Sequence, residues 1–277
     1  MNREIEFVKL SPTQNMTILI RSPLPPEARP AVAARMMAYD SVHAEQVGFI
    51  EKPERSEADA RLRMAGGEFC GNACMALAAL VARERKVNSD AALELRLEAS
   101  GAEGLVRCEA SRIGESYRCR VEMPPPLKVE SRTVAIGGRS YAMGLVQYAA
   151  STHLLLEVDR FDEDVRGRAA ELARLLGAVL DAKLVGILLY RGDTAEMQPL
   201  IHVPEVGSLV WERGCGSGAA SLGAYLSWKQ GRRVELEVRQ PGGAIKARAV
   251  WTGGEGCALD IEGSVDIVAS GTAYVAF

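Results

Sequence analysis

Residues 66–82 read GGEFCGNACMALAALVA, and residues 211–228 read WERGCGSGAASLGAYLSW. Each stretch carries a Cys-Gly pair, Cys70-Gly71 and Cys215-Gly216, followed by a run of small and apolar residues. Ala73–Ala82 and Gly218–Trp228 are helical in composition but have almost no polar side. A helix that is apolar all round must be buried in something. Asn72 and Ser217 hold matching positions after the two cysteines, and both residue types are favoured N-caps, so the helices are expected to be capped there.

The segments around these helices alternate with period two. Leu93, Leu95 and Leu97 oppose Glu94, Arg96 and Glu98, and Val234, Leu236 and Val238 oppose Arg233, Glu235 and Glu237. Tyr117, Cys119, Val121 and Met123 oppose Arg118, Arg120 and Glu122. Such alternation marks strands with one buried face, typical of antiparallel sheets. Further strands are expected at 4–10, 16–21, 46–51, 61–65, 153–159, 183–190 and 244–252. Two more helices are expected, at 27–39 and 162–176, the second with acids at its head and Gly177 just past its end. The pattern is an α+β fold of two pseudo-symmetric halves, each a mostly antiparallel sheet wrapped around one buried helix. The triproline segment MPPPLK (123–128) interrupts any ladder and marks a boundary. The first domain is therefore placed at 1–125 and the second at 126–263, with the terminal strand 264–277 expected to return to the first.

Composition narrows the function. The 277 residues are 48% hydrophobic and 25% charged, ordinary values for a chain with a packed core. The 33 basic and 36 acidic residues give a net charge of −3, with no basic excess to hold nucleic acid. No apolar run is long enough to span a membrane, and the opening MNREIEFVKL has no apolar export segment, which points to the cytoplasm. Six cysteines stand at 70, 74, 108, 119, 215 and 257; in a chain able to build a core without staples they read as reduced thiols. The histidines, His43, His153 and His202, are too scattered for a zinc site, and no metal is expected.

A helix start offers unpaired N–H groups and a partial positive charge, which favour a thiolate and bind a carboxylate. If the two halves face each other, two thiols flank one bound carboxylate. That arrangement suits transfer of an amino acid's α-proton from one face to the other: a thiolate removes it and a thiol delivers another. No pyridoxal or other cofactor is required, and no lysine stands in a Schiff-base setting. Cys74, Cys108, Cys119 and Cys257 fit core positions. Gly214-x-Gly216-x-x-Ala219 formally matches a dinucleotide fingerprint, but its neighbouring strands alternate like antiparallel ones.

Five stretches carry a family resemblance: SPTQNMTILI (11–20), EQVGFIE (45–51), GGEFCGNACM (66–75), QPLIHVPEVGSLVWERGCGSGAAS (198–221) and QPGG (240–243). They resemble the diaminopimelate epimerase superfamily, with its proline racemases and phenazine-biosynthesis isomerases, and are most similar to the histidine racemases of staphylopine-type metallophore synthesis. The resemblance implies two similar domains, each a barrel-like sheet around a central helix. It implies Cys70 and Cys215 as catalytic thiols, and Gly71-Asn72 and Gly216-Ser217 as donors to the substrate carboxylate. Asn15 matches a substrate contact, and Glu45 an acid suited to the amino group or imidazole of histidine. The chain departs from diaminopimelate epimerases at Glu212-Arg213, which only Gly214 separates from Cys215. The shorter loop reshapes the distal pocket; Glu212 is kept as a contact and Arg213 is not. The implied activity is cofactor-independent histidine racemisation; a homodimer is left open. The rivals are an epimerase for another amino acid, such as diaminopimelate or proline, and a non-catalytic protein that holds a small carboxylate.

Overall fold

The computed structural model describes residues 2–88, 91–136, 139–180, 182–204, 207–253 and 256–276. Met1 and Phe277, at the two ends assigned to the first domain, lie outside them. The chain divides into two compact units, Met1–Glu122 with Glu262–Phe277, and Met123–Ile261.

The first unit contains strands β1 (Asn2–Pro12), β2 (Thr17–Ile20), β3 (Gln46–Glu51), β4 (Ala60–Met64), β5 (Ala92–Ala99), β6 (Leu105–Ile113) and β7 (Ser116–Glu122). They neighbour one another in chain order, and β16 (Cys257–Ala276) lies beside β7. β16 also pairs antiparallel with β1, from Asn2↔Ala276 to Pro12↔Val265. β2–β3 and β4–β5 are parallel, whereas β1–β2, β3–β4, β5–β6 and β6–β7 are antiparallel. Helix α1 (Arg29–Met37) connects β2 to β3, and α2 (Gly71–Glu84) follows β4. α2 packs against β1, β2, β4, β5, β6 and β7. Every residue from Gly71 to Ala82 is buried, which explains the missing polar face. Burial of each large side chain among them, such as Met75 and Leu77, contributes about 1.5–3 kcal/mol.

The second unit holds β8 (Lys128–Ile136), β9 (Arg139–Gln147), β10 (Ser151–Glu157), β11 (Leu184–Arg191), β12 (Glu196–Val203), β13 (Ser208–Trp211), β14 (Val234–Gln240) and β15 (Gly243–Trp251). Their order is β8-β9-β10-β11-β12-β14-β15, with β16 beside β15 and β13 attached to β12. β10–β11 and β12–β14 are parallel. α4 (Gly216–Gln230) packs on β8, β9, β10, β14 and β15, and ends at Gly231 in the left-handed region (φ 62°). α3 (Glu163–Val179) lies on β11 and β12, capped by the Asp162 carboxylate on the Val165 N–H at 2.9 Å. α4 is entered from β13, which is antiparallel to β12, so the Gly214-x-Gly216 match is not set in a parallel strand–helix–strand unit.

Two local expectations are corrected. The caps of α2 and α4 are Cys70 and Cys215, not Asn72 and Ser217. Both cysteines have extended backbone and the helix begins at the following glycine, so Asn72 and Ser217 fall inside the first turn. α3 does not stop before Gly177 but continues to Val179. A Cβ on Gly177 would lie 2.5 Å from the His202 ring, so this glycine serves close packing rather than termination. The sheets also contain parallel pairs, because β2–β3 and β10–β11 are joined through helices rather than hairpins.

Candidate active site

In the first unit a tight turn delivers Asn15. Thr13 and Gln14 both have positive φ (50° and 59°), and the Asn15 N–H closes on the Pro12 carbonyl at 3.0 Å. Asn15 is fully buried; its Nδ2 donates to Glu45 Oε2 at 3.1 Å, and its Oδ1 has no hydrogen-bond partner among the described residues. Glu45 is fixed in turn by its own N–H on the Met16 carbonyl at 2.8 Å. The next residue, Gln46, accepts the Cys70 S–H on Oε1 at 2.6 Å. Cys70 is half-buried, and its sulfur accepts the Ala73 N–H at 3.3 Å, completing the cap of α2. Asn15, Glu45, Cys70, Gly71 and Asn72 thus belong to one unit, with Asn15 joined directly to Glu45 and Cys70 tied to the start of β3.

The second unit gathers Glu212, Cys215, Gly216 and Ser217. Cys215 is only 3% exposed, and its sulfur lies 3.5 Å from Ser217 Oγ. Burial pushes its thiol well above the ordinary range, and the charge and hydrogen bond of Glu212 reinforce this; Ser217 and the Gly218 N–H pull weakly the other way. These influences favour the protonated thiol at Cys215. Burial also pushes the thiols of Cys74, Cys108, Cys119 and Cys257 upward, and all six cysteines are free. Among the described residues no three His, Cys, Asp or Glu side chains are grouped to hold a metal ion, and no helix is long and apolar enough to cross a membrane.

Two features escaped the sequence. Gln240, singled out in sequence only as the first residue of the QPGG stretch and given no role there, holds the backbone of Cys215 with its side-chain amide. Behind Cys215, Ser221 on α4 meets His153 Nδ1 at 2.6 Å and Tyr148 Oη at 3.0 Å. His153 is completely buried, and that burial lowers its pKa from 6.5 to about 4. Below pH 6.5 the unfolded chain takes up a proton that the folded one refuses until about pH 4. Stability should therefore fall through this window, by on the order of 3 kcal/mol at its acid end. Urea midpoints at pH 7 and pH 4.5 test this: the decline should shrink in His153→Gln, and an equal decline in both proteins would refute it.

Solved structures share this fold. A hydroxyproline epimerase from Agrobacterium vitis with bound trans-4-hydroxy-L-proline superposes with a TM-score of 0.71 at 12% identity, over 99% of this chain and 93% of that one. A probable proline racemase from Agrobacterium radiobacter also gives 0.71, at 14% identity over 96% and 92% of the two chains. The chain thus has the α+β, sheet-rich fold found in amino-acid epimerases and racemases. The family model described as the histidine racemase CntK N-terminal domain matches residues 4–274, and the chain belongs to this histidine racemase family. A histidine racemase of Staphylococcus aureus is 32% identical over 278 residues, covering 99% of this chain and all of the relative. One from Fusobacterium nucleatum is 29% identical over 98% of this chain and 97% of the relative.

Proposed function

We propose that this chain interconverts L- and D-histidine by a two-thiol proton transfer that needs no pyridoxal. The observation that carries the reading is the recurrence of one local structure: a cysteine at the N-cap of a buried helix, once in each unit. The full-length likeness to proteins named histidine racemase supports the substrate.

In the direction that starts with Cys215 protonated, the Cys70 thiolate removes the α-proton. Cys215 gives its own proton to the opposite face and becomes the thiolate, and the reverse reaction exchanges the roles. The scheme requires both sulfurs to reach one α-carbon. The N–H groups of Gly71-Asn72 and Gly216-Ser217 would receive the substrate carboxylate, because the first-turn amides of a helix have no partner within it. They stabilise the negative charge that builds up there as the α-carbon ionises. Asn15 Oδ1 is an acceptor suited to the amino group, Glu45 suits the amino group or imidazole, and Glu212 stands as a second acidic contact. The reading takes each unit as a barrel-like sheet around its helix. It places the protein in the cytoplasm, where thiols stay reduced, and has its product feed an opine-type metallophore.

The test is incubation in D2O with a panel of L-amino acids that includes histidine, proline and diaminopimelate. Chiral chromatography reports inversion, and NMR reports α-deuterium. Histidine should show both, and the others little of either. Exchange with another amino acid but not histidine would overturn the substrate assignment, and exchange with none would leave a binding protein.

A further inference from the structure

We propose that Gln240 is a positioning residue for Cys215, acting through the cysteine's backbone; the inference rests on the two-thiol reading above. Gln240 Oε1 accepts the Cys215 N–H at 2.7 Å, and Gln240 Nε2 donates to the Cys215 carbonyl at 3.3 Å. One buried amide, 8% exposed, thus engages both backbone polar groups of a residue 25 positions away. The carbonyl also accepts the Ala219 N–H at 3.1 Å in the first turn of α4.

The need for an outside partner follows from the helix start. An N-cap residue's own N–H finds no backbone acceptor in its helix, and in many helices a Glu or Gln side chain at the third helical position reaches back to accept it. That position here is Gly218, which has no side chain to offer. Gln240 supplies the missing acceptor from the end of β14. The hairpin that carries it is braced against the same loop: Gly242 donates its N–H to the Arg213 carbonyl at 2.7 Å, and the Arg213 guanidinium donates to the Pro241 carbonyl at 3.3 Å. Fixing both polar groups of Cys215 holds its backbone at φ −111° and ψ 106°, and so fixes the direction of the Cα–Cβ bond. Only rotation about that bond is left to aim the sulfur.

A proton-transfer group displaced by about 1 Å can lose about a hundredfold in rate. In Gln240→Leu, which removes both bonds, kcat for histidine should fall by about tenfold to a hundredfold while KM stays within about twofold. Gln240→Asn keeps the amide but is one methylene too short to span both groups, and should lose about tenfold in kcat. Mass-mapped alkylation by iodoacetamide should change in rate at Cys215 and not at Cys70. A purely structural role would lower the melting temperature without this split, so thermal unfolding is followed in parallel. If Gln240→Leu does not fold, Gln240→Asn decides. Retention of kcat within about twofold in the folded variants, or a loss carried by KM alone, overturns the inference. Cys215→Ala separates the two levels: racemisation that survives it overturns the two-thiol reading itself. Racemisation lost there but intact in the Gln240 variants overturns only the role of Gln240.

Discussion

Cys70→Ser and Cys215→Ser are each expected to lower kcat for histidine racemisation by at least about a thousandfold while both units stay folded. The chemical ground is the acidity of the group. An alcohol ionises far less readily than a thiol, so serine supplies neither a base able to remove an α-proton nor a comparable acid. Removing one partner of a two-base scheme disables both directions, since each direction uses both groups. The structural ground for retained folding differs at the two positions. At 70 the sulfur accepts the Ala73 N–H, and serine is among the preferred N-cap residues, so Cys70→Ser preserves the start of α2. At 215 the substitution places a hydroxyl beside Ser217 Oγ and Glu212, both able to accept from it. The remaining cysteines are buried with thiols held protonated, and provide no substitute thiolate. The measurement is chiral chromatography of histidine with each variant, alongside circular dichroism. More than a tenth of the parent kcat in either variant, or solvent exchange unchanged in both, would contradict the thiol mechanism.

The legible parts of the fold were those where one physical rule dominates. The two apolar runs have no polar side to turn to water, so their burial could be read directly, and β3 at Gln46–Glu51 follows from its apolar composition. Strands that violate a local rule were missed. β12, which contains Pro199 opposite Leu188, is the clearest case; the strand expected from 264 onward is present, but as the end of a twenty-residue β16 that begins at Cys257. In the candidate site, Cys70 and Cys215 stand out because thiols at helix starts are chemically conspicuous in sequence. Gln240 and His153 were not, because their partners are backbone atoms or a hydroxyl 25 and 68 residues away. Such pairings exist only after the chain has folded. The caps were misread for a related reason: Asn72 and Ser217 are good capping types, but position is set by where the backbone turns, and it turns at the cysteines.

Gly101→Ala should be the most damaging small substitution in the first unit. Gly101 has φ +72°, a region that costs an L-residue roughly 1–2 kcal/mol. A Cβ there would also lie 2.3 Å from the Phe69 backbone nitrogen and 2.8 Å from the Glu68 carbonyl carbon. These are main-chain atoms and cannot swing aside. The segment they belong to leads straight into Cys70, and Ser100 holds it from the same turn. Its Oγ accepts the Met64 N–H at 2.9 Å and donates to the Glu68 carbonyl at 2.8 Å. Relieving the clash means moving residues 68–69 away from Ser100, which loosens the loop and the cysteine behind it. The expected cost is about 3 kcal/mol, or roughly 10 °C in melting temperature, with racemisation falling in the protein that remains folded. Gly104→Ala is the matched control: its added Cβ meets nothing within 4 Å, and its melting temperature should move by no more than about 2 °C. Similar melting temperatures and activities for the two variants would show that the approach of Gly101 to Phe69 does not hold Cys70 in place.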